Sequence, residues 1–239
     1  MKNVLRILLV CMLLLSVTAC TNTNDMGTNA PPPESVPAGD SGTQAEPPED
    51  EAAHVLIAYF SRMGNTEFPD GIDASTSASI LLGKDNNLQG TTEYMASLIQ
   101  KNTGGDLHLI QTEEPYPADY DATVSQNYRE QQAGIIPKLK NVAENLDQYD
   151  IVFIGYPIWA MTIPQPIVSF VNQYDLSGKT VIPFCTHAGY GSGDSYSKVQ
   201  SLCPEAEVLE GFAVEAEKIQ SAEQTVPQWL DELEIDGAS

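Results

Sequence analysis

Residues 55–66 read VLIAYFSRMGNT, which is six apolar residues followed at once by a polar loop. A continuous apolar run of this length is typical of a strand buried on both faces of a parallel sheet. The loop carries hydroxyl and amide side chains and one glycine, and the N terminus of a following helix would favour an anion beside it. The segment therefore predicts a buried strand that ends at a phosphate-binding loop.

Apolar patterns on the C-terminal side of this segment predict an alternation of strands and helices. Further strands are expected at residues 106–112, 151–156, 181–186 and 207–214, and helices at 92–101, 137–146, 164–174 and 226–233. Asp194 and Ser195 are expected to cap one more helix. Strands that alternate with helices form right-handed βαβ units. The predicted fold class is α/β, a doubly wound parallel sheet with helices on both faces, although Pro183 cannot donate a ladder hydrogen bond inside its strand.

Two further loops follow predicted strands at the edge where such sheets bind ligands. The first is Pro157-Ile158-Trp159-Ala160, and the second is Thr186-His187-Ala188-Gly189-Tyr190-Gly191. Neither a GxGxxG fingerprint at the first strand nor a GxxxxGK[ST] run is present, which argues against dinucleotide and P-loop nucleotide binding. The aromatic residues of the loop at 115–120 are a further candidate border of the site, but packing of this loop on the sheet edge is favoured.

At these loops the sequence resembles the flavodoxin family. Tyr59, Ser61, Gly64 and Thr66 match the first half of the family signature, and residues 92–99 (TEYMASLI) match its second half. Residues 67–91 are interpreted as an insertion, because excising residues 67–92 restores the continuous motif YFSRMGNTEYMASLI. The sequence departs from the family pattern at Met63, at Asp70 and at Ala160, where a hydroxyl, an alanine and an aromatic residue are usual.

The resemblance implies a five-stranded sheet of order 2-1-3-4-5 that binds FMN at its edge. Trp159 would stack on the flavin ring, and Tyr190, with Tyr196 in reserve, would cover the other face. Arg62 would supply a charge-assisted bond or be an exposed arginine, and His187 would be a donor to the ring or a structural histidine. Either Thr66 or Thr91 and Thr92 would begin the helix. The implied cofactor-binding residues are Ser61, Arg62, Met63, Gly64, Asn65, Thr66, Thr92, Pro157, Ile158, Trp159, Ala160, Thr186, His187, Ala188, Gly189, Tyr190 and Gly191.

The composition restricts the possible functions. The chain has 33 acidic and 11 basic side chains, a formal charge of −22, and this argues against binding to nucleic acid. The leading hypothesis is an FMN-binding electron-transfer protein without catalytic side chains or metal. Its partner would be a redox protein or a small electron acceptor, and the acidic surroundings would lower the flavin potential. The alternatives are an FMN-dependent NAD(P)H:acceptor (quinone) oxidoreductase and a binding module that has lost its flavin.

The N-terminal sequence predicts export and a lipid anchor. Residues 1–19 pair Lys2 and Arg6 with a short apolar run, and residues 17–20 (VTAC) resemble a bacterial lipobox in which Cys20 is lipidated. Residues 20–53 are interpreted as a flexible tether rich in proline and acidic side chains, and residues 54–239 as one domain. The protein is thus expected at the extracytoplasmic face of the cell membrane. Export permits a disulfide between Cys185 and Cys203, but buried free thiols are favoured.

Overall fold

The computed structural model describes residues 53–69, 79–82, 87–233 and 235. The predicted signal sequence, Cys20 and all of the predicted tether except Ala53 lie outside these residues. Residues 70–78 and 83–86, within the predicted insertion, lie outside them as well.

A parallel sheet forms the centre of the described domain. The strands in chain order are β1 (Val55–Tyr59), β2 (Ile80–Leu82), β3 (Leu88–Gly90), β4 (Asp106–Leu109), β5 (Ile151–Pro157), β6 (Thr180–His187), β7 (Glu207–Val208) and β8 (Phe212–Glu215). The parallel sheet has the order β4-β1-β5-β6, and both β7 and β8 pair with β6 as an interrupted fifth strand. The predicted order and fold class are confirmed. Strands β1 and β5 are buried along their whole length, as their apolar runs predict.

The interrupted fifth strand explains how Pro183 is accommodated inside β6. Thr180 N donates to Asp150 O and Thr186 O accepts from Ile158 N, so the even-numbered positions of β6 bond towards β5. Val181 O accepts from Leu209 N on the opposite side, so the odd-numbered positions bond towards the fifth strand. Pro183 therefore turns its nitrogen, which has no hydrogen to donate, to the gap between β7 and β8.

Five α-helices flank the sheet in the described residues: α1 (Thr91–Thr103), α2 (Tyr120–Ala133), α3 (Gln165–Gln173), α4 (Ser195–Leu202) and α5 (Ala222–Glu232). Four of them correspond to expected helices. Asp194 precedes α4 as expected, but its side chain makes no capping hydrogen bond.

The helix predicted at residues 137–146 is wrong. This segment instead runs beside the end of β4, where Glu113 N donates to Lys138 O and Lys140 N donates to Gln111 O. Val142, counted in the expected apolar stripe, is 58% exposed. The helix that follows β4 is α2, between the Asp119 cap and Gly134, and its buried positions are polar. Apolar periodicity therefore pointed to the wrong segment.

The insertion interpreted at residues 67–91 includes a described β-hairpin. Strands β2 and β3 are antiparallel, and Gly90 at the end of β3 is the N-cap of α1. The helix after the first loop therefore begins at Thr91, not at Thr66. Each sheet face carries its own apolar core, one under α1 and α5 and the other under α3 and α4. None of the helices in the described residues is long and apolar enough to cross a membrane.

Candidate functional site

A cavity of about 300 Å³ opens at the carboxyl ends of the parallel strands. It contains eight of the residues predicted to bind the cofactor: Arg62, Pro157, Ile158, Trp159, Ala160, Thr186, His187 and Ala188. Ser79 and five residues of α2, which are Tyr120, Thr123, Val124, Asn127 and Tyr128, complete the lining. The loops after β1, β5 and β6 therefore meet in one place, as the parallel topology predicts.

Arg62 is the charged side chain at the base of this cavity. It is only 5% exposed, and its Nη2 donates to Pro117 O and Ala118 O, both at 3.0 Å. Its Nε is buried and has no hydrogen-bond partner, and no carboxylate of the described residues forms an ion pair with it. The guanidinium also lies 5.0 Å from the centre of the Phe68 ring. Burial lowers the pKa of Arg62, but an arginine remains protonated in proteins. The loop therefore presents a buried cation with one unused donor.

The other polar groups of the first loop are largely bonded within the protein. The Asn65 side chain donates to Ser61 O and Ile110 O and accepts from the Thr112 amide, so it joins the loop to the segment after β4. Ser61 Oγ accepts from Met63 N at 3.2 Å. Gly64 is exposed, and its carbonyl accepts from Gln111 Nε2 at 3.0 Å. Thr66 Oγ1 is buried without a partner. None of these five residues is among those that line the cavity.

Helix α1 begins directly beside this loop. A Cβ at Gly90 would lie 2.0 Å from Ser61 Oγ, so only glycine permits this approach. The hydroxyls of Thr91 and Thr92 lie 3.2 and 3.0 Å from Thr186 Oγ1 and tie the start of α1 to the end of β6. Thr92 is itself buried and does not line the cavity. The Thr92 hydroxyl, which the sequence predicted to bind the cofactor, therefore positions the start of α1 through its bond with Thr186.

A tight turn after β5 carries Trp159. Trp159 and Thr162 exchange two backbone hydrogen bonds, and the central residues Ala160 and Met161 have φ values of 49° and 66°. Two consecutive positive φ values normally call for Asn-Gly, so this turn is strained. The Trp159 ring packs edge-on against Phe60 and Tyr116, with ring centres 5.3 and 5.0 Å away. These contacts fix the indole beside the cavity.

The buried carboxylate of Glu130 holds the Tyr116 ring in place against Trp159. Tyr116 OH donates to Glu130 Oε2 at 2.8 Å, and Gln126 Nε2 donates to Glu130 Oε1 at 2.9 Å. Burial, followed by the Glu130 charge and hydrogen bond, raises the pKa of Tyr116. Tyr116 therefore remains a neutral donor, and Glu130 fixes its ring against Trp159.

The loop after β6 holds His187 in one tautomer. Its Nδ1 accepts from Gly189 N at 3.0 Å and from Gly191 N at 3.2 Å, so the neutral ring carries its proton on Nε2. Burial lowers the pKa of His187; the Glu215 charge works against this shift and the Lys218 charge adds to it. His187 is thus both bonded within its loop and part of the cavity lining. Both roles proposed for it from the sequence remain compatible with this geometry.

The two tyrosines expected to cover the flavin ring lie outside the cavity lining. Tyr190 is 76% exposed and does not line the cavity, and neither do Gly189 and Gly191. Tyr196, the reserve candidate, is half-buried with its hydroxyl 3.7 Å from Cys185 Sγ. A Cβ at Gly193 would lie 1.9 Å from Met161 O, so this loop packs closely on the turn that carries Trp159.

The described cysteines are not paired with each other, and no metal-binding cluster is found among the described residues. Cys185 and Cys203 are buried free thiols. Burial raises the pKa of Cys185 to about 12 and that of Cys203 to about 11, so both remain protonated. No cluster of His, Cys, Asp or Glu among the described residues is arranged to hold a metal ion.

Sequence reasoning missed the wall of the cavity that α2 provides. Tyr120, Val124 and Tyr128 recur every four residues after a good N-cap, Asp119, whose Oδ1 accepts from Ala122 N at 2.8 Å. This spacing is the pattern in the sequence that could have predicted an apolar stripe along a helix. The interpretation of residues 115–120 as a loop packed on the sheet edge holds for buried Tyr116, whereas Tyr120 begins α2 and lines the cavity.

Similar proteins were found among solved structures. Candidate flavoproteins from Bacteroides eggerthii and Bacteroides uniformis are 28% and 25% identical to this chain, with TM-scores of 0.57 and 0.58. The matches cover 77% and 76% of this chain and 99% of each of those chains. A flavoprotein from Lactobacillus acidophilus, solved in complex with FMN, is 19% identical with a TM-score of 0.50 and is similar in fold. That match covers 72% of this chain and all of the other. No curated protein sequence matches the chain.

A family model described as Flavodoxin matches residues 84–233, which is more than half of the 239 residues. The matched stretch begins after β1 and its loop and includes the segments that carry Trp159 and His187. Strand order, cavity position and sequence match agree, and the chain belongs to the flavodoxin family.

Proposed function

We propose that this protein binds FMN in the cavity at the sheet edge and transfers electrons to a partner. The observation that carries the proposal is Arg62, a buried cation with an unpartnered Nε that lines the same cavity as Trp159. A buried charge is costly unless it is paired, and a phosphate would provide the missing acceptor. The candidate flavoproteins of similar fold support the choice of a flavin.

The residues present fit FMN at both ends of the molecule. Arg62, which lines the cavity, would hold the phosphate. Trp159 would offer an apolar face to the ring, and His187 Nε2–H would donate to a polar atom at its edge. When bound, FMN supplies the redox chemistry, and the chain supplies binding and orientation.

The cavity lining favours an electron carrier over an acid–base enzyme. Among its described residues, Arg62 and His187 are the members whose charge matters near neutral pH, and the others are apolar, hydroxyl or amide side chains. No carboxylate or lysine among them is placed to exchange protons with a substrate. NAD(P)H is an anion, and a chain with 33 acidic and 11 basic side chains offers little positive charge to bind it. We therefore expect added NAD(P)H alone to leave the bound flavin oxidised, and its direct bleaching would favour the reductase alternative.

A binding titration tests the proposal. FMN is added to the detergent-solubilised full chain and to the Arg62→Gln and Trp159→Phe variants, with riboflavin as the ligand that lacks the phosphate. We expect Arg62→Gln to weaken FMN binding by about 10- to 100-fold, the range of a charge-assisted hydrogen bond, and to leave riboflavin binding unchanged. Trp159→Phe should reduce the fluorescence quenching. A wild-type protein that is colourless and shows no saturable quenching would contradict the proposal.

We also propose that the protein is exported and anchored by lipid on Cys20. The support is the short apolar run after Lys2 and Arg6 and the lipobox-like residues 17–20. Phase separation in a cloud-point detergent tests this. The full chain should enter the detergent phase and the Cys20→Ser variant the aqueous phase, and mass spectrometry should find acyl groups on the mature N terminus. An unmodified Cys20 in the mature protein would reject the anchor.

A further inference from the structure

Helix α2 presents its apolar side chains outwards. Tyr120, Val124 and Tyr128 are 70%, 47% and 58% exposed, while Thr123 and Asn127 are buried. This is the reverse of a helix that packs on a sheet through its apolar stripe. The three exposed side chains nevertheless share a location, because all of them line the cavity beside Trp159.

Polar contacts, rather than apolar packing, hold this helix in place. Thr123 Oγ1 donates to Pro117 O at 2.8 Å, and Gln165 Nε2 donates to Glu130 O at 3.2 Å. Glu130 also accepts from Tyr116 OH, and Gln131 Nε2 lies 3.4 Å from Trp159 O. These hydrogen bonds of other side chains and carbonyls therefore fix the stripe at the cavity.

The loop after β6 does not provide an equivalent wall. Tyr190 is the one aromatic between His187 and Asp194, and it is 76% exposed and outside the lining. Two tyrosine rings on a regular helix, spaced two turns apart, lie instead at the cavity. A flat ring gains area and offset stacking from such neighbours.

From these observations we infer that Tyr120 and Tyr128 of α2, rather than Tyr190, cover the flat ring of the bound flavin. The inference rests on the proposed function and assigns the aromatic cover of that site. Val124, between them, completes an apolar strip along which the ring lies. When the flavin binds, it shields the strip from water, which explains why apolar side chains are exposed at this place in the free protein.

The test compares the rings in the detergent-solubilised full chain. Tyr120→Ala and Tyr128→Ala should each weaken FMN binding by about two- to tenfold, the range expected for one stacked ring. Riboflavin binding should weaken by the same factor, because the phosphate is not involved. Tyr128→Phe, which keeps the ring, should recover most of the affinity lost in Tyr128→Ala. Tyr190→Ala, which removes an exposed ring outside the cavity, should bind both ligands like the wild type.

The outcomes separate this inference from the proposed function. A wild-type chain that binds neither FMN nor riboflavin contradicts the proposed function and the inference together. A wild-type chain that binds FMN, with unchanged binding in both α2 variants and weaker binding in Tyr190→Ala, overturns the inference alone. Urea unfolding of each variant shows whether it is folded, and a truncation that unfolds α2 is replaced by Tyr120→Leu or Tyr128→Leu, with the same criteria.

Discussion

Helices α1 and α2 both flank the sheet, but they use their side chains in opposite ways. Helix α1 buries Met95, Ala96 and Ile99 completely against the sheet. Helix α2 buries Thr123 and Asn127 and leaves its apolar stripe exposed. The difference shows that a crossover helix can turn a hydrogen-bonded polar face inwards, which leaves its apolar stripe exposed at the cavity.

The largest expected effect comes from the core side of α1. Met95→Ala should lower the free energy of unfolding by about 2–5 kcal/mol, because it leaves a cavity in a fully buried core. Val124→Ala in α2, at a position that is 47% exposed, should change it by less than about 1 kcal/mol. Urea unfolding of both variants measures the difference. Equal losses would contradict the contrast between the two helices.

The glycines at the helix ends provide the next comparison. Gly90→Ala places a Cβ 2.0 Å from Ser61 Oγ, so it should cost about 1–3 kcal/mol and disturb the first loop. Gly134→Ala, after α2, meets no atom within 4 Å but has a φ of 61°, so it should cost about 1 kcal/mol through strain alone. FMN titration and urea unfolding check both variants. The prediction fails if Gly134→Ala also weakens FMN binding.

Alkaline pH should destabilise both sides of the sheet through buried tyrosines. Burial, with the Glu93 charge of α1, raises the pKa of Tyr59 from 10.0 to about 12. The folded state thus favours the neutral phenol. The stability that Tyr59 contributes is therefore complete below pH 10 and is lost as the pH rises to about 12. The Tyr59 contribution lost at pH 11 is about 1 kcal/mol.

Two variants separate the contributions of the tyrosines. Tyr59→Phe should flatten the fall in stability above pH 10 and leave stability at pH 8 nearly unchanged. Tyr116→Phe should also flatten it, and in addition lower stability at pH 8, because Glu130 loses the Tyr116 hydrogen bond. Unfolding curves from pH 8 to pH 11 measure both effects. Identical pH profiles for the wild type and both variants would refute this assignment.

The smallest expected effect is a gain in stability in the turn after β5. Met161 has a φ of 66°, and glycine adopts this conformation without strain. Met161→Gly should therefore stabilise the fold by about 0.5–1 kcal/mol, less than the full strain because glycine loses more entropy on folding. Thermal unfolding measures the gain. A loss of stability would mean that the Met161 side chain contributes packing despite its 47% exposure.

The sequence was most informative where burial is apolar and continuous. The runs in β1 and β5 predict these strands, because a strand buried on both faces has no polar positions. Helix α2 escaped prediction because its buried face is polar. Residues 137–146 were mistaken for a helix because Leu139 and Leu146 pack on the core without a helix between them, while Val142 is exposed. The interruption between β7 and β8 likewise depends on Pro183 in the neighbouring strand, which no local pattern reveals.

The candidate site was predictable to a similar extent. The loops after β1, β5 and β6 were expected to meet because the carboxyl ends of parallel strands share one edge. The separate roles of Arg62 and Asn65 were not predictable, because only tertiary neighbours decide that Asn65 is fully bonded and Arg62 Nε is not. The α2 wall was hidden for the same reason: its spacing is visible, but its direction is set by polar contacts across the fold.

The interrupted fifth strand has a consequence for self-association. The outer edge of the sheet offers β7 with two residues and β8 with four, separated by residues 209–211. A second copy that tried to extend the sheet would find no long row of free N–H and C=O groups to pair with. The break that accommodates Pro183 therefore also protects this edge against aggregation.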